Sequence, residues 1–259
     1  MELIFAGTGS AFTMDNWQSN IVVKNKDKNM LIDCGSDIRF SLRDIGMSVF
    51  DMDAVYISHL HADHIGGMET LAFCTFFVPT AKKPTLYCEG SLVKELWDTS
   101  LKGGLKGIEG KLVDLEDYFN VVPLLKNEGF YWGGINFELV QSLHISSKYM
   151  ILDSFGVIFN TPKEKRIYIT TDSQFAPINN ILKCYEEADV IFQDCETMYK
   201  SGVHAHYDDL NTLKPEIKKK MYLYHYQDNV VKEWDTWTKK AKEDGFKGFV
   251  QKGQSFKFD

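Results

Sequence analysis

Ser58-His59-Leu60-His61-Ala62-Asp63-His64-Ile65-Gly66-Gly67 is the stretch whose reading decides the fold. Three of the seven histidines and one carboxylate fall within six positions there. The preceding Ala54-Val55-Tyr56-Ile57 is apolar and β-rich and reads as a buried strand. In continued extended backbone, His59 and His61 point to one side. Asp63 and His64 then sit where the strand gives way to a helix expected over residues 65–78. Imidazole and carboxylate are both ligands that suit zinc. Four such groups on one turn are more than one tetrahedral ion accepts while keeping a water, so the spacing points to two ions sharing one site. Surface or capping histidines are the ordinary alternative; a cluster this dense between an apolar strand and Gly-Gly weighs against it.

The rest of the composition fits one soluble enzyme-sized unit. At 259 residues, 44% hydrophobic and 14% aromatic, the chain is expected to form a single α/β domain over residues 1–259. No apolar run approaches the roughly 20 residues of a membrane helix, and no basic-then-apolar signal segment opens the chain, so a cytoplasmic protein is expected. Cys34, Cys74, Cys88, Cys184 and Cys195 are odd in number and widely spaced, which reads as reduced core residues. A net charge of −7 argues against a large nucleic-acid footprint. It does not exclude a small phosphate substrate, because cations dominate the field in their own pocket.

Strands are expected at residues 2–6, 20–24 and 29–34, then a helix over 36–45 with Ser36 as N-cap and Gly46 as stop. A strand at 85–88 and a helix at 91–99 follow, and Phe73, Phe76 and Phe77 read as core. Residues 101–120, with Gly103, Gly104, Gly107 and Gly110, read as a mobile loop or an oligomer contact. Further strands are expected at 121–125, 130–132, 136–144, 149–159, 166–171, 190–193, 221–226 and 249–258. Helices are expected at 176–188, at 207–219 with a break at Pro215, and at 233–244. Two such halves imply sheets packed face to face with helices outside. His144, Asp172 and His225 each stand near an expected strand end. Taken singly, His144 is more often a core histidine and Asp172 a helix cap. His204 and His206 open the helix beginning at Tyr207, where a surface location is an equal alternative.

With Phe5-Ala6-Gly7-Thr8-Gly9-Ser10-Ala11 and Leu31-Ile32-Asp33-Cys34-Gly35, the His-Leu-His-Ala-Asp-His run resembles the H-x-H-x-D-H signature of the metallo-β-lactamase superfamily. The resemblance is to its ribonuclease Z-like branch, closest in character to the anti-Pycsar cyclic nucleotide phosphodiesterases of phages and bacteria. It implies an αββα sandwich of two mixed β-sheets flanked by helices. It places His59, His61 and His144 on one zinc, Asp63, His64 and His225 on a second, and Asp172 between them, with Mn²⁺ as the alternative metal. Asp33 would support the ligand loop from behind. Asp63 would orient a hydroxide shared between the ions. A histidine at 204 or 206 would touch the phosphate and protonate the leaving group; the residue pattern favours His204 slightly and does not separate the two.

The implied reaction is hydrolysis of 3′,5′-cyclic nucleotides, cyclic pyrimidine nucleotides of an antiphage system among them, to 5′-monophosphates. The long Gly/Pro-rich arm with which ribonuclease Z grips transfer RNA has no counterpart here. Transfer-RNA 3′ cleavage remains the alternative, beside lactone, thioester or sulfate ester hydrolysis. The resemblance also implies a homodimer whose partner loop leans into the pocket, in the host cytoplasm if phage-encoded. Tyr118 and Phe119 in residues 101–120 are the candidates for that loop, with core burial as their other fate.

Overall fold

The computed structural model describes residues 1–126, 128–177 and 179–258. The helix expected over 176–188 includes Ile178, which lies outside the described residues; the described helix is Asn179–Glu187. The first sheet begins with β1 (Glu2–Gly7), β2 (Asn20–Asn25) and β3 (Lys28–Ile32) as an antiparallel meander. Then β4 (Ala54–Ile57) and β5 (Thr85–Glu89) add parallel. After a small hairpin of β6 (Gly107–Ile108) and β7 (Lys111–Leu112), β8 (Asn120–Leu124) joins beside β5.

The second sheet repeats this plan. Its antiparallel part is β9 (Gly129–Trp132), β10 (Ile135–Ser146), β11 (Ile151–Asn160) and β12 (Arg166–Ile169). Its parallel part adds β13 (Val190–Asp194), β14 (Met221–Tyr224) and β15 (Gly248–Phe249). The closing β16 (Ser255–Lys257) crosses back to pair with β1. The single strand expected over 249–258 is therefore two strands in opposite sheets. The polar Gln251-Lys252-Gly253-Gln254 turns the chain between them, with Gly253 in the left-handed region at φ +80°. The Gly253 amide donates to Phe5 O at 2.7 Å, tying that turn to β1.

Strand alternation divides three apolar layers. Leu3, Phe5, Tyr56, Phe155, Val157, Phe159 and Phe192 fill the space between the sheets. Val22, Leu31, Val55 and Ile57 face outward on the first sheet, under the helices Ile38–Asp44 and Met68–Phe77. Ile158, Tyr168, Ile191 and Leu223 do the same on the second. This is the αββα sandwich, and no described helix is long and apolar enough to cross a membrane.

Residues 101–120 are folded. The helix Lys102–Leu105, the β6–β7 hairpin and the helix Leu115–Tyr118 follow in turn. Tyr118 and Phe119 are buried in the outer core of the first sheet, and Tyr118 Oη donates to Leu105 O at 2.8 Å. Neither aromatic is available to a partner's pocket. Phe73 and Phe76 pack on the same core, whereas Phe77, also expected there, is 59% exposed at the helix end. Ser36 is not the N-cap: Asp37 takes that position, and Ser36 Oγ donates to Ala62 O at 3.0 Å.

That contact is part of a tight seam between the turn after β3 and the histidine loop. Cys34 N donates to His64 O at 2.7 Å, and a Cβ on Gly35 would stand 2.3 Å from Asp63 O. Gly35→Ala is expected to lower stability by about 1–3 kcal/mol in chemical denaturation, as overpacking does. An unchanged unfolding midpoint would contradict so close an approach.

Candidate metal centre

The chemistry-bearing residues gather at the carboxyl ends of strands from both sheets, where open α/β sheets place their ligands. The histidine loop follows β4, Asp172 follows β12, Asp194 ends β13 and His225 follows β14. His144 arrives differently. The β10–β11 register slips between Leu143 and Ile145, so His144 is the extra residue of a bulge, a device that re-aims a side chain. Asp33, Thr171 and His225 hold φ of +63°, +53° and +61°. Non-glycine residues there cost on the order of 1–3 kcal/mol each, and such strain gathers at functional sites.

His61 Nδ1 lies 3.0 Å from both His59 Nε2 and His144 Nε2. Asp172 Oδ2 stands 3.8 Å from His59 Nε2 and 3.7 Å from His144 Nε2. In the adjoining cluster, His64 Nε2 is 3.2 Å from Asp63 Oδ2 and 3.2 Å from Asp172 Oδ2. His225 Nε2 is 3.3 Å from Asp63 Oδ2 and 3.3 Å from Asp172 Oδ1. Donors at zinc bond lengths around one tetrahedral ion lie roughly 3.3 Å apart. The structure thus brings together all seven expected ligands in two of three overlapping four-donor sets among the described residues, all sharing Asp172; the third is Asp172, Asp194, His204 and His225.

His59, His64 and His144 have Nδ1 hydrogen-bonded from behind. Asp33 Oδ2 is 2.7 Å from His64 Nδ1, and Ser58 Oγ is 3.0 Å from His59 Nδ1. Val203 O accepts from His144 Nδ1 at 2.8 Å, and Asp194 Oδ1 faces His225 Nδ1 at 3.2 Å. Asp33 in turn accepts the Ser58 amide and hydroxyl, both at 2.8 Å. Such outer partners fix the tautomer of His59 and His144 and leave their Nε2 bare toward the site. His61 is at the N-cap position of the helix Ala62–Ile65, which starts three residues earlier than expected; its side chain makes no cap bond, so its Nδ1 is free to converge.

Burial lowers the pKa of His59, His61 and His144, so three neutral imidazoles aim lone pairs at one another. One proton could bridge only one pair; a cation satisfies all three. Buried His64 Nε2, Asp172 Oδ1, Asp194 Oδ1 and His225 Nδ1 likewise have no hydrogen-bond partner among the described residues. The donor set fits divalent metal. In the second cluster burial opposes charge, but Asp172 and Asp63 outweigh it and raise His64, and Asp172 and Asp194 lift His225 to about 10.

His204 and His206, two positions apart, part company. His204 Nδ1 is 2.9 Å from Asp194 Oδ2 and its ring lines a cavity of about 350 Å³ over the two clusters, with Phe12, Gln18, His61 and Asp63. Burial depresses its pKa, and Asp194 and Asp172 more than restore it, so the ring is raised above its ordinary value. His206 is outside the cluster: it caps the helix Tyr207–Leu210, Nδ1 accepting the Asp208 amide at 3.2 Å. The structure therefore does not bring it beside His204, because its Nδ1 is taken up by the helix N-terminus. Asp194 was not anticipated from sequence. Its signal was an acid two residues after the apolar run Val190-Ile191-Phe192.

On this frame the paired clusters are sets of side chains that could hold metal ions, set in the metallo-β-lactamase fold. The family model described as anti-Pycsar protein Apyc1 matches residues 1–256, and the chain belongs to that family. A relative of that description from Paenibacillus harenae is 33% identical over 231 residues, 89% of this chain and 91% of the other. Another from Bacillus phage vB_BsuM-Goe3 is 32% identical over 241 residues, 88% of this chain and 90% of the other. Among solved structures, the metallo-β-lactamase fold protein YhfI from Bacillus subtilis superposes with a TM-score of 0.73 at 17% identity, covering 98% of each chain.

Asp172→Ala is expected to strip metal from both clusters, read by elemental analysis after dialysis; full metal content would remove the shared carboxylate from the site. Protonated His64 and His225 must lose their protons before they can ligate, so cation affinity should rise with pH from 6 toward 10. Calorimetry in buffers of differing ionisation enthalpy should register proton release at neutral pH. Equal affinity at pH 6 and pH 8 would contradict the protonated resting state.

Proposed function

We propose that this protein hydrolyses 3′,5′-cyclic nucleotides of an antiphage signalling system to nucleoside 5′-monophosphates, with two divalent cations, zinc or manganese, held in the paired clusters. The observation that carries the reading is the pair of four-donor sets sharing one carboxylate, Asp172, under a cavity of about 350 Å³. His59, His61, His144 and Asp172 would hold one ion, and Asp63, His64, His225 and Asp172 the other. Bound, such a pair supplies neutralisation of the phosphate charge and a water of lowered pKa.

The chain's own residues do the rest. Asp63 reaches the clusters with Oδ2, and its other oxygen orients the attacking water. As water adds to phosphorus it releases one proton to solvent, the P–O3′ bond breaks and O3′ needs a proton. His204 gives it: Asp194 holds Nδ1 and supports the charged ring, so Nε2 is the nitrogen that serves the cleft. The formal charge of −7 supports a small substrate over an RNA. Membership of the anti-Pycsar family and its phage relatives support the signalling role and a host-cytoplasmic setting. The homodimer belongs to the same reading, with the exposed Tyr149-Met150-Ile151 tip of β10–β11 as apolar surface for a second copy; light scattering reads the mass.

The deciding assay offers the metal-loaded protein cyclic mononucleotides, cyclic dinucleotides and precursor transfer RNA in parallel, with an EDTA-treated control. Cleavage of the RNA alone would overturn the substrate. His204→Ala is expected to lower kcat by ~10²–10⁴-fold with metal content retained. His206→Ala is expected to cost about 1 kcal/mol of stability through the lost cap and little rate. The reverse ranking would displace His204 from the proton-donor role.

A further inference from the structure

His204, the proton donor in the reading above, stands on a loop with no regular structure of its own. Residues 197–204 leave β13 and return to the helix Tyr207–Leu210. Main-chain bonds close the neck: Glu196 N donates to Ala205 O at 2.9 Å, and Tyr207 N donates to Glu196 O at 2.9 Å. Beyond the neck that pattern stops. Among the described residues, no amide from 197 to 204 donates to a main-chain carbonyl. Packing supplies little in its place, since Met198 and Tyr199 are 59% and 68% exposed. Amides outside a regular ladder turn to side chains or water, and three here find side chains.

At the outgoing end Thr197 N donates to Gln227 Oε1 at 2.7 Å. At the returning end Ser201 N donates to Glu196 Oε2 at 2.8 Å, and Val203 N to Ser201 Oγ at 3.2 Å. The second pair is a relay: Glu196 fixes Ser201, Ser201 fixes Val203, and Val203 adjoins His204. The Lys200–Asp209 pair adds a tie on the surface, of a kind that contributes little in water.

Glu196 differs from the other ties in being a buried carboxylate, only 3% exposed. It makes no ion pair among the described residues, and carboxylates are almost never so buried unpaired. The Ser201 amide is what its Oε2 holds. A hydrogen bond to a carboxylate is roughly twice as strong as one between neutral groups. Asp194 holds the Nδ1 of His204 and so supports its charge. Glu196 holds the backbone that carries the ring.

Resting on the cyclic nucleotide phosphodiesterase reading above, we propose that Glu196 is a positioning residue for the proton donor: through the Ser201 amide it sets the loop so that the His204 ring stands over the cleft. A displacement of about 1 Å in such a group costs on the order of 10²-fold in rate.

The test sets uridine 3′,5′-cyclic monophosphate, whose O3′ leaves with a proton, against bis(p-nitrophenyl) phosphate, whose p-nitrophenolate leaves without one. With metal-loaded protein, Glu196→Ala is expected to lower kcat on the cyclic nucleotide roughly ten- to a hundred-fold, with KM and metal content little moved. On the p-nitrophenyl ester the loss should be less than about two-fold. Glu196→Gln keeps an oxygen for the Ser201 amide and should restore most of the rate. In a His204→Ala background Glu196→Ala should cost almost nothing further, since residues acting through one another are not additive. Equal losses on the two substrates, or an additive loss in the double variant, overturn the assignment. Where Glu196→Ala fails to fold, Ser201→Ala breaks the relay one step on, at an exposed residue, and must show the same split between substrates. Amide exchange reads the loop apart from activity. Ser201 and Val203 should exchange roughly ten-fold faster in Glu196→Ala than in Glu196→Gln, the effect of one hydrogen bond. Equal exchange in the two variants overturns the clamp. If the wild type cleaves no cyclic nucleotide, the phosphodiesterase reading has failed, and the exchange rates alone decide whether Glu196 holds the loop.

Discussion

Three neutral imidazoles with their lone pairs aimed at one point are an unfavourable arrangement in the absence of a cation, and everything around His59, His61 and His144 serves to hold them so. Burial keeps them uncharged. Ser58 Oγ and Val203 O occupy the rear nitrogens of His59 and His144. The second cluster is balanced by opposite means, with Asp63 and Asp172 against His64 and His225. Asp172 belongs to both and is the one carboxylate through which the two clusters are coupled.

The fold provides this by duplication. Each sheet runs antiparallel and then parallel, and the parallel strands of both point their carboxyl ends at the same edge of the sandwich. Short turns with left-handed residues, Asp33 after β3, Thr171 after β12 and His225 after β14, bring side chains back over that edge. The closing segment, β15 in one sheet and β16 in the other, fastens the two sheets together on the side of β1 and β14. A rigid two-sheet frame is what preorganised ligands need, since sites on strand ends are held more closely than sites on loops.

Asp194 shows how far the support extends behind the ligands. Fully buried, it faces His225 with one oxygen and His204 with the other, and accepts the Ser173 amide at 3.0 Å. One side chain thereby orients a ligand, a proton donor and the turn that carries Asp172. Sequence reading ended the strand one residue short of it, because a single aspartate after Gln193 carries no spacing signal.

What the amino-acid order determined by itself was local. The dense His-Leu-His-Ala-Asp-His run, the apolar strand before it and the alternation along each strand are short-range patterns, and they disclosed the fold class and four of the seven expected ligands. His144, Asp172 and His225 were legible only as lone residues at strand ends, and it took the resemblance to group them. Tertiary structure alone decided the remainder: the bulge that turns His144 inward, the capping that withdraws His206, the burial of Tyr118 and Phe119, and the split of the last strand between two sheets. Each depends on partners far away in the chain, as His144 does on Val203 and His225 on Asp63. Contacts of that separation follow from how the layers pack, and no periodicity along the chain records them.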